Sequence, residues 1–360
     1  MSFEFIGPAD ARWRSCLSAS KAGIFYSPEY CDLHRDKDGS PVMLLYQDDL
    51  GTAFDVTAIK NVSSLPFYQD IAAQFSSPPL DLANPIYNGP LLVSAPADRS
   101  ELLRRYRAAV HRFCADNNVV TEFVRFHPLY SYASELGRIE ELIPVSDILY
   151  ADLRNGYEAA HKQYRKGHKS AARKAARDGA SWKIVAPTPE NLASFTELYQ
   201  STQRRSGTRD AYVQSAQFFR ALFDALKDRA LLVESYANEK LVSSSVFLDD
   251  SECLWYQYSG SALELLSSDA HTYLMDRMID WAASRAFSYL VLGGGGNPHD
   301  PEDRIAKFKR GFSHLMGKVY QLRKVHNPSM LERLLLAKDN YNRRLGREVQ
   351  KDRFPSYWLD

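Results

Sequence analysis

The stretch 230–259 constrains the fold more than any other part of this sequence. Three apolar runs follow one another with only three or four residues between them: "ALLVESY" (230–236), "KLVSSSVFL" (240–248) and "CLWYQYS" (253–259). Their β-branched and aromatic content is typical of strands. Because the connections are so short, neighbouring strands must run antiparallel. The sequence therefore predicts a three-stranded antiparallel meander.

The elements around this meander predict a mixed sheet with helices on its faces. After it we expect a helix over 269–287, a strand over 288–292, a helix over 302–312 and a strand over 317–325. Before it, periodic apolar residues predict a helix over 98–117 and another that Pro189 opens. The proline-rich stretch 76–93 is expected to be an ordered loop rather than a strand. The fold class that follows is mixed α/β (α+β).

Composition and length favour two domains. The chain has 360 residues, which is enough for two domains of ordinary size. The composition changes abruptly after "DILYADL", so we expect an N-terminal domain over 1–150 and a second domain over 151–328. The segment 329–360 is expected to form an amphipathic helix and tail, which hold to the surface through four leucines: Leu331, Leu334, Leu335 and Leu345.

Whole-chain properties exclude several classes of function. The 45 Lys and Arg residues nearly balance the 44 Asp and Glu residues, so any attraction to a polyanion must come from a local patch. The first residues lack the apolar core of a signal peptide, and no apolar run approaches the ~20 residues that span a bilayer. The four cysteines have no zinc-ligand spacing. These features predict a reduced cytoplasmic protein without a structural metal.

One local patch stands out over residues 161–179, which read "HKQYRKGHKSAARKAARDG" and hold seven Lys or Arg residues before the first acid, Asp178. Their spacing of three or four predicts a single helix with a basic stripe on one face. The stripe consists of Lys162, Lys166, Lys169, Arg173 and Arg177. It suits a polyanionic ligand such as tRNA, a nucleotide-sugar or a lipid-linked pyrophosphate, but a merely solvated basic face is an equal alternative.

Four consecutive glycines, Gly293, Gly294, Gly295 and Gly296, follow the strand at 288–292. Such a run costs conformational entropy, so some requirement for bare backbone is expected. It is no P-loop, because no GK[ST] follows, and the preceding strands exclude a Rossmann unit. Two interpretations remain open. The glycines, together with Asn297, let the backbone approach a substrate, or they form a tight strand-to-helix turn.

The order of these elements resembles the GCN5-related N-acetyltransferase (GNAT) fold and, more specifically, the FemABX and FemAB-like acyltransferases. The residues that carry the resemblance are the basic helix leading into "WKIV", the helix end "TQRRSG", and "FKRGF" after the glycines. "NPIYNGPLL" and "VRFHPL" are similar to the first domain of the polysaccharide-associated branch. The resemblance implies two GNAT-like domains, each a mixed, largely antiparallel sheet flanked by helices. It also implies a strand that separates from its neighbour and admits the acyl donor's arm.

The resemblance does not identify the acyl donor. Coenzyme A-dependent relatives carry R/Q-x-x-G-x-G/A before the helix at 269, where backbone amides hold the pyrophosphate. This chain has "SGSALELLSSDAHTYL" (259–274) there, with Glu264 and Asp269 in the phosphate region. FemABX proteins also lack that pattern and use aminoacyl-tRNA. The acyl donor is therefore expected to be an aminoacyl-tRNA, or an acyl-coenzyme A in an altered pocket.

Several side chains are candidates for the chemistry of acyl transfer, which needs orientation, proton transfer and oxyanion stabilisation. Tyr256 and Tyr258 lie two apart on one strand, so we expect them to point the same way. They are candidates for proton transfer, with packing on the sheet face as the alternative. His271 is a candidate base at the start of the next helix, with a helix-capping role as an equal alternative. Ser243, Ser244 and Ser245 make room for substrate or pack beneath a helix. Lys309 and Arg310 are candidate substrate-binding cations. Arg125 is another candidate, and we expect it to lie with His127 in a cleft between the domains.

These features together predict a cytoplasmic acyltransferase that transfers an acyl or aminoacyl group to an amine of a peptidoglycan or polysaccharide precursor. Its partners would be the acyl donor, with tRNA as one possibility, and the amine-bearing precursor. Two alternatives remain open. One is a coenzyme A-dependent N-acyltransferase that acts on an amino sugar. The other is a non-catalytic scaffold that binds nucleic acid or an envelope intermediate.

Overall fold

The structure is a computed structural model that describes residues 1–20, 22–35, 39–84, 86–93, 98–129, 132–208, 213–296, 300, 302–347 and 354–358. The chain divides into two compact units. Unit 1 consists of residues 1–145 and 319–360, and unit 2 consists of residues 146–318. Residues 319–360 thus belong with the N-terminal part of the chain, whereas the predicted scheme places 319–328 in the second domain.

Thirteen strands have regular pairing in the described residues. They are β1 (Ser2–Ile6), β2 (Ser40–Asp48), β3 (Gly51–Asn61), β4 (Leu80–Ala83), β5 (Leu91–Leu92), β6 (Val119–Arg125), β7 (Leu142–Asp152), β8 (Ser181–Val185), β9 (Ala230–Ala237), β10 (Lys240–Asp250), β11 (Cys253–Ser261), β12 (Tyr289–Gly293) and β13 (Met316–Val325).

Eleven α-helices are present in the same part of the chain. They are α1 (Ala11–Ser20), α2 (Pro28–Asp32), α3 (Arg99–Asp116), α4 (Ala133–Leu136), α5 (Gly156–Lys162), α6 (Lys166–Arg177), α7 (Pro189–Arg205), α8 (Ala216–Leu226), α9 (Ala270–Ser284), α10 (Arg304–Lys309) and α11 (Pro328–Arg344).

The sheet of unit 1 has the strand order β1-β2-β3-β4-β6-β13, with β5 beside β3. All neighbours are antiparallel except β4 and β6, which are parallel. Helix α3 covers one face through buried apolar residues at helical spacing: Leu102, Leu103, Tyr106 and Val110. Asp98 caps this helix by accepting a hydrogen bond from the Glu101 amide at 2.9 Å.

The sheet of unit 2 has the order β7-β12-β11-β10-β9-β8, again antiparallel except for one parallel pair, β11 and β12. Helices α5, α6 and α9 lie on one face, where Leu274, Met275 and Met278 enter the core. Helices α7 and α8 lie on the other face and contribute Phe195 and Phe219. The meander predicted from the sequence, β9-β10-β11, is confirmed.

The two units repeat one topology. In each, three antiparallel strands lead through a helix to a strand that pairs parallel with the third: β2-β3-β4-α3-β6 in unit 1 and β9-β10-β11-α9-β12 in unit 2. An antiparallel strand then lies beyond the parallel pair, β13 in unit 1 and β7 in unit 2. The predicted fold class, two GNAT-like arrangements with mixed, largely antiparallel sheets flanked by helices, is confirmed.

Two local predictions are wrong. The stretch 76–93 contains β4 and β5, because pairing with β3 and β6 outweighs the low strand propensity of a proline-rich segment. Leu345 is 49% exposed and does not hold the C-terminal helix, whereas Leu334 is buried and Leu331 and Leu335 pack beside it. None of the described helices has the length and apolar character needed to span a membrane.

Candidate active site

The parallel strands β11 and β12 separate in the middle of unit 2. They pair only from Cys253 opposite Tyr289 to Trp255 opposite Val291, although β11 continues to Ser261 and β12 to Gly293. From Tyr256 onward, β11 therefore has no ladder partner on its β12 side in the described structure. This separation opens a gap in the sheet at the end of β12, where the glycine run begins.

The equivalent point in unit 1 is closed by a side chain. Asn84, just after β4, donates from its backbone nitrogen to the Phe123 carbonyl at 3.1 Å. Its side-chain amide donates to the Arg125 carbonyl at 3.0 Å and accepts from the Arg125 amide at 2.9 Å. These bonds continue the β4–β6 ladder, because the side-chain amide of Asn84 takes the place of the backbone of a further strand residue. The open gap of unit 2 is thus the better place for a substrate arm.

A β-bulge decides which residues of β11 face the gap. Val246 pairs with Tyr258, and the next residue, Phe247, pairs with Tyr256, so Gln257 is the extra residue. Tyr256 and Tyr258 therefore lie on opposite faces of the sheet, and the expectation that they point the same way is wrong. Tyr258 packs among the rings of three residues from α7 and α8: Tyr199, Phe218 and Phe219.

On the other face, Tyr256 begins a chain of hydrogen bonds. Its hydroxyl lies 3.0 Å from Nε2 of His271, at the start of α9. The other ring nitrogen of His271, Nδ1, lies 2.8 Å from Oγ of Ser243 on β10. Ser243 Oγ in turn lies 2.7 Å from Oγ of Ser235 on β9. The structure brings two predicted residues, Tyr256 and His271, into direct contact.

Burial sets the protonation states of His271 and Tyr256. It lowers the pKa of His271 to about 4, so the imidazole is neutral near pH 7. It raises the pKa of Tyr256 to about 12, against the opposing effect of the Ser259 and Ser245 hydroxyls, so the phenol keeps its proton. A neutral histidine that bonds a serine on one side and a phenol on the other can orient and stabilise the phenol, and the phenol can donate outward.

Lys309 places a positive charge beside the hydrogen-bonded side chains of Tyr256 and His271. Its Nζ donates to the Gly294 carbonyl at 2.7 Å and lies 5.8 Å from the centre of the Tyr256 ring. Burial lowers the pKa of Lys309 to about 8, while Asp303 opposes the shift. Arg310 follows as the half-buried C-cap of α10.

The glycine run frames Lys309 and packs against α10. Gly293 has φ +84°, and a Cβ there would lie 3.0 Å from Lys309 Nζ. A Cβ at Gly295 would lie 2.8 Å from Asp303 Oδ1, and the Gly296 amide donates to Asp303 Oδ2 at 3.1 Å. Gly295 and Gly296 thus fit the interpretation as a tight strand-to-helix turn. Gly293 and Gly294, by contrast, lie next to Lys309. Asn297 lies outside the described residues.

Sequence reasoning missed one contact that ties the basic segment to the site. A Cβ at Gly311 would lie 2.0 Å from the His168 ring, which also packs 5.6 Å from Phe308 and 4.8 Å from Phe312. Phe308 stacks on His271 at 5.4 Å. His168 and Gly311 lie far apart in the sequence, so neither local pattern nor propensity signals this contact.

The basic segment is two helices rather than one. Helix α5 ends at Lys162 and α6 begins at Lys166, because buried Tyr164 turns the chain between them. Lys169 Nζ donates to the carbonyl of Lys162 at 3.0 Å, at the C-terminal end of α5. The predicted single helix is therefore wrong, and Lys162 lies on a different helix from the other four residues of the stripe, which share α6: Lys166, Lys169, Arg173 and Arg177. Arg173 and Arg177 do lie exposed on α6.

The remaining predicted residues lie elsewhere. Ser243 and Ser245 face α9, and Ser244 faces α7, where Gly260 allows close contact with the helix backbone. Arg125 and His127 belong to unit 1, at and just after the end of β6. Among the described residues, no three His, Cys, Asp or Glu side chains are grouped so that they could hold a metal ion.

Unit 2 has the fold of a GNAT-type acyltransferase domain. The sequence model of the family described as Acetyltransferase (GNAT) domain matches residues 162–310, which include β11, α9, β12 and α10. The chain thus carries a GNAT acyltransferase domain. No curated protein matches the chain significantly.

Solved structures agree with this fold. A structure titled "Crystal structure of FemX" is similar with TM-score 0.64 and 11% identity, over 89% of this chain and 97% of that chain. The structure of L-PGS from Bacillus licheniformis is similar with TM-score 0.53 and 12% identity, over 96% and 99%. The C-terminal domain of a candidate lysylphosphatidylglycerol synthetase from Agrobacterium fabrum gives TM-score 0.54 and 11% identity, over 92% and 96%. The resemblance of this chain to FemABX-like GNAT acyltransferases is confirmed at the level of the fold.

Proposed function

We propose that this protein transfers an acyl or aminoacyl group from an activated ester or thioester to an amine of a cell-envelope precursor. The observation that carries the proposal is the Tyr256–His271–Ser243 chain beside Lys309, at the open end of the β11–β12 pair. The titles of the similar structures, FemX and lysylphosphatidylglycerol synthetase, support aminoacyl transfer and a cell-envelope acceptor. We place the protein in the cytoplasm, where such donors and precursors meet.

The groups at the gap suit the three needs of this reaction. The acceptor nitrogen forms a bond to the carbonyl carbon, and the bond from that carbon to the leaving oxygen or sulfur then breaks. Negative charge develops on the carbonyl oxygen, which the Lys309 ammonium would stabilise. Tyr256 would give its proton to the leaving atom, and the proton that the nitrogen loses passes to solvent.

His271 would act through Tyr256. In the tautomer that the proposal requires, Nδ1 accepts from Ser243 and Nε2–H donates to the phenolic oxygen, within the distances of 2.8 and 3.0 Å. The phenolic proton is then free to point into the gap. When it leaves, the Nε2–H bond stabilises the phenolate until the proton returns. The low pKa of His271 favours this role, because a neutral ring keeps an acceptor for Ser243.

The nature of the donor determines the first experiment. The purified protein should be given labelled aminoacyl-tRNA or labelled acyl-coenzyme A, each with an amine-bearing nucleotide-linked muropeptide or a free amino sugar. We expect transfer from aminoacyl-tRNA to the muropeptide. Transfer only from acyl-coenzyme A to the amino sugar would replace this proposal with the coenzyme A-dependent alternative. No transfer from either donor, with both bound, would favour the non-catalytic scaffold.

The exposed cations of α6 provide a second test of a tRNA donor. If Arg173 and Arg177 contact phosphates, tRNA affinity should fall with salt at a log–log slope of about −0.7 per contact. Replacing both with Glu should flatten that slope by roughly one to two units. The matched control replaces with Glu two exposed cations that lie outside α6, Arg220 and Lys240. It should leave the slope unchanged. Equal slopes in both variants would make the α6 cations a solvated face.

A further inference from the structure

We propose that unit 1 contains a binding site for a small phosphomonoester, independent of the acyl-transfer site in unit 2. A cavity of about 230 Å³ lies within unit 1, on the sheet face formed by β3, β4, β6 and β13. It is far larger than the roughly 10–15 Å³ that one water needs. This site goes beyond the proposed function, since none of its residues takes part in the Tyr256–His271 chain.

Strand register brings the charged residues of the cavity onto one face. Lys60 on β3 lies opposite Asp81 on β4, and Phe123 on β6 lies opposite Arg323 on β13. Arg125, two residues after Phe123, is on the same face because side chains alternate along a strand. All five residues line the cavity.

Asp81, the one carboxylate among the described lining residues, already accepts four hydrogen bonds. Asp81 Oδ1 accepts from the Thr121 amide at 3.0 Å and from its hydroxyl at 2.7 Å. Asp81 Oδ2 accepts from the Tyr357 hydroxyl at 2.6 Å and from Trp358 Nε1 at 2.7 Å. Asp81 thereby holds the C-terminal segment, and Trp358, over one side of the cavity.

Two arginines of the lining, Arg125 and Arg323, retain capacity for an anion. Arg125 is half-buried, and within the described part of the chain its Nε is buried without a hydrogen-bond partner. A desolvated guanidinium nitrogen without a partner is costly unless a ligand supplies one. Arg323 is held by two bonds to Gln321 Oε1, at 3.0 and 2.8 Å, which fix its orientation at the cavity.

Charge and shape together define the ligand class. Among the described residues of the lining, three cations (Lys60, Arg125 and Arg323) and one carboxylate (Asp81) give a formal charge of +2. A phosphomonoester carries a charge of about −1.5 to −2 near pH 7 and accepts forked bonds from arginine. The apolar surface of Phe123 and Trp358 would pack against a small organic group on that phosphate.

Calorimetric titration with phenyl phosphate and with inorganic phosphate tests the site. At low ionic strength (about 0.05 M salt), where screening is weak, we expect one phenyl phosphate per chain, bound more tightly than inorganic phosphate. Arg125→Gln and Arg323→Gln should each weaken binding about tenfold, because each removes a charge-assisted bond. Arg112→Gln, which removes an exposed arginine of α3, is the matched control and should bind as the wild type does.

Melting temperatures test whether each variant is folded. If Arg125→Gln does not fold, Arg323→Gln keeps the test valid, because Arg323 is exposed. No saturable binding of phenyl phosphate to the wild type would overturn the proposal. Equal weakening by Arg112→Gln would overturn it as well, and so would malonate, a dicarboxylate, binding as tightly as phenyl phosphate. Transfer activity is measured separately, so failure of this site and failure of the proposed function remain distinguishable.

Discussion

The hydroxyl of Tyr256 lies 3.0 Å from Nε2 of His271, and these two residues come from different elements, strand β11 and helix α9. The contact depends on the bulge at Gln257, which turns Tyr256 toward α9 and Tyr258 toward α7 and α8. Two tyrosines that the sequence treats as equivalent therefore have different surroundings. This difference provides a matched pair of variants.

Tyr256→Phe should lower the rate of acyl transfer by about 100-fold, because the phenolic proton that protonates the leaving atom is lost. The ring and its packing remain, so the melting temperature should change little. Tyr258→Phe is the control, and its rate should stay near that of the wild type. The measurement is single-turnover transfer at saturating donor. A larger loss in Tyr258→Phe than in Tyr256→Phe would rule out the assignment of the phenol.

The rate should fall as pH rises through about 8, because Lys309, whose pKa burial lowers to about 8, loses its proton there. In Lys309→Arg the charge persists to much higher pH, so the falling limb should disappear. The pH profile of kcat/KM measures this. A rate that rises through pH 8 in the wild type would show that neutral Lys309 acts as a base instead.

Lys309 should also make the free energy of unfolding depend on pH. Its folded-state pKa lies below the unfolded value near 10.5, so the unfolded chain binds more protons between these values. The contribution of Lys309 to stability should therefore increase as pH rises from about 8 to about 10.5. Urea unfolding of the wild type and of Lys309→Met at pH 7, 8, 9 and 10 measures it. Parallel pH dependences in the two proteins would contradict this expectation.

Gly295→Ala should destabilise the fold by about 1–3 kcal/mol, the usual cost of overpacking, because its Cβ would approach Asp303 Oδ1 to 2.8 Å and Ala306 Cβ to 3.1 Å. Gly294→Ala is the matched control. Its Cβ would lie 3.5 Å from the Asp147 carbonyl oxygen, an ordinary contact, so stability should change little. Thermal unfolding of the two variants decides the point. Equal stability of Gly295→Ala and the wild type would remove the packing role of Gly295.

Gly311→Ala should displace the His168 ring, since the added Cβ would lie 2.0 Å from it. The variant should lose about 2–3 kcal/mol of stability from overpacking. His168→Ala removes the obstructing ring, so the double variant should be more stable than the sum of the single changes predicts. Denaturant unfolding of all four proteins measures the coupling. Strict additivity would mean that the two residues do not constrain each other.

Most elements of unit 2 were predictable from the sequence because their signals are local. The β9-β10-β11 meander follows from short turns between strand-forming runs, and helix α7 begins at Pro189 with Thr188 as its cap. The order of the elements was enough to indicate a GNAT-like sheet. Tyr256, His271 and Lys309 were candidates because of their side chains and their positions along that order.

Only the tertiary structure decided how these candidates are arranged. A bulge depends on pairing between strands, so alternation along β11 alone assigned Tyr258 to the wrong face. Strand β4 forms because β3 and β6 pair with it, despite the prolines around it. Tyr164 divides the basic segment into α5 and α6 because its ring is buried against Phe312. Helix periodicity, turn chemistry and capping act over a few residues, whereas bulges, strand separation and ring contacts arise from residues far apart in the chain.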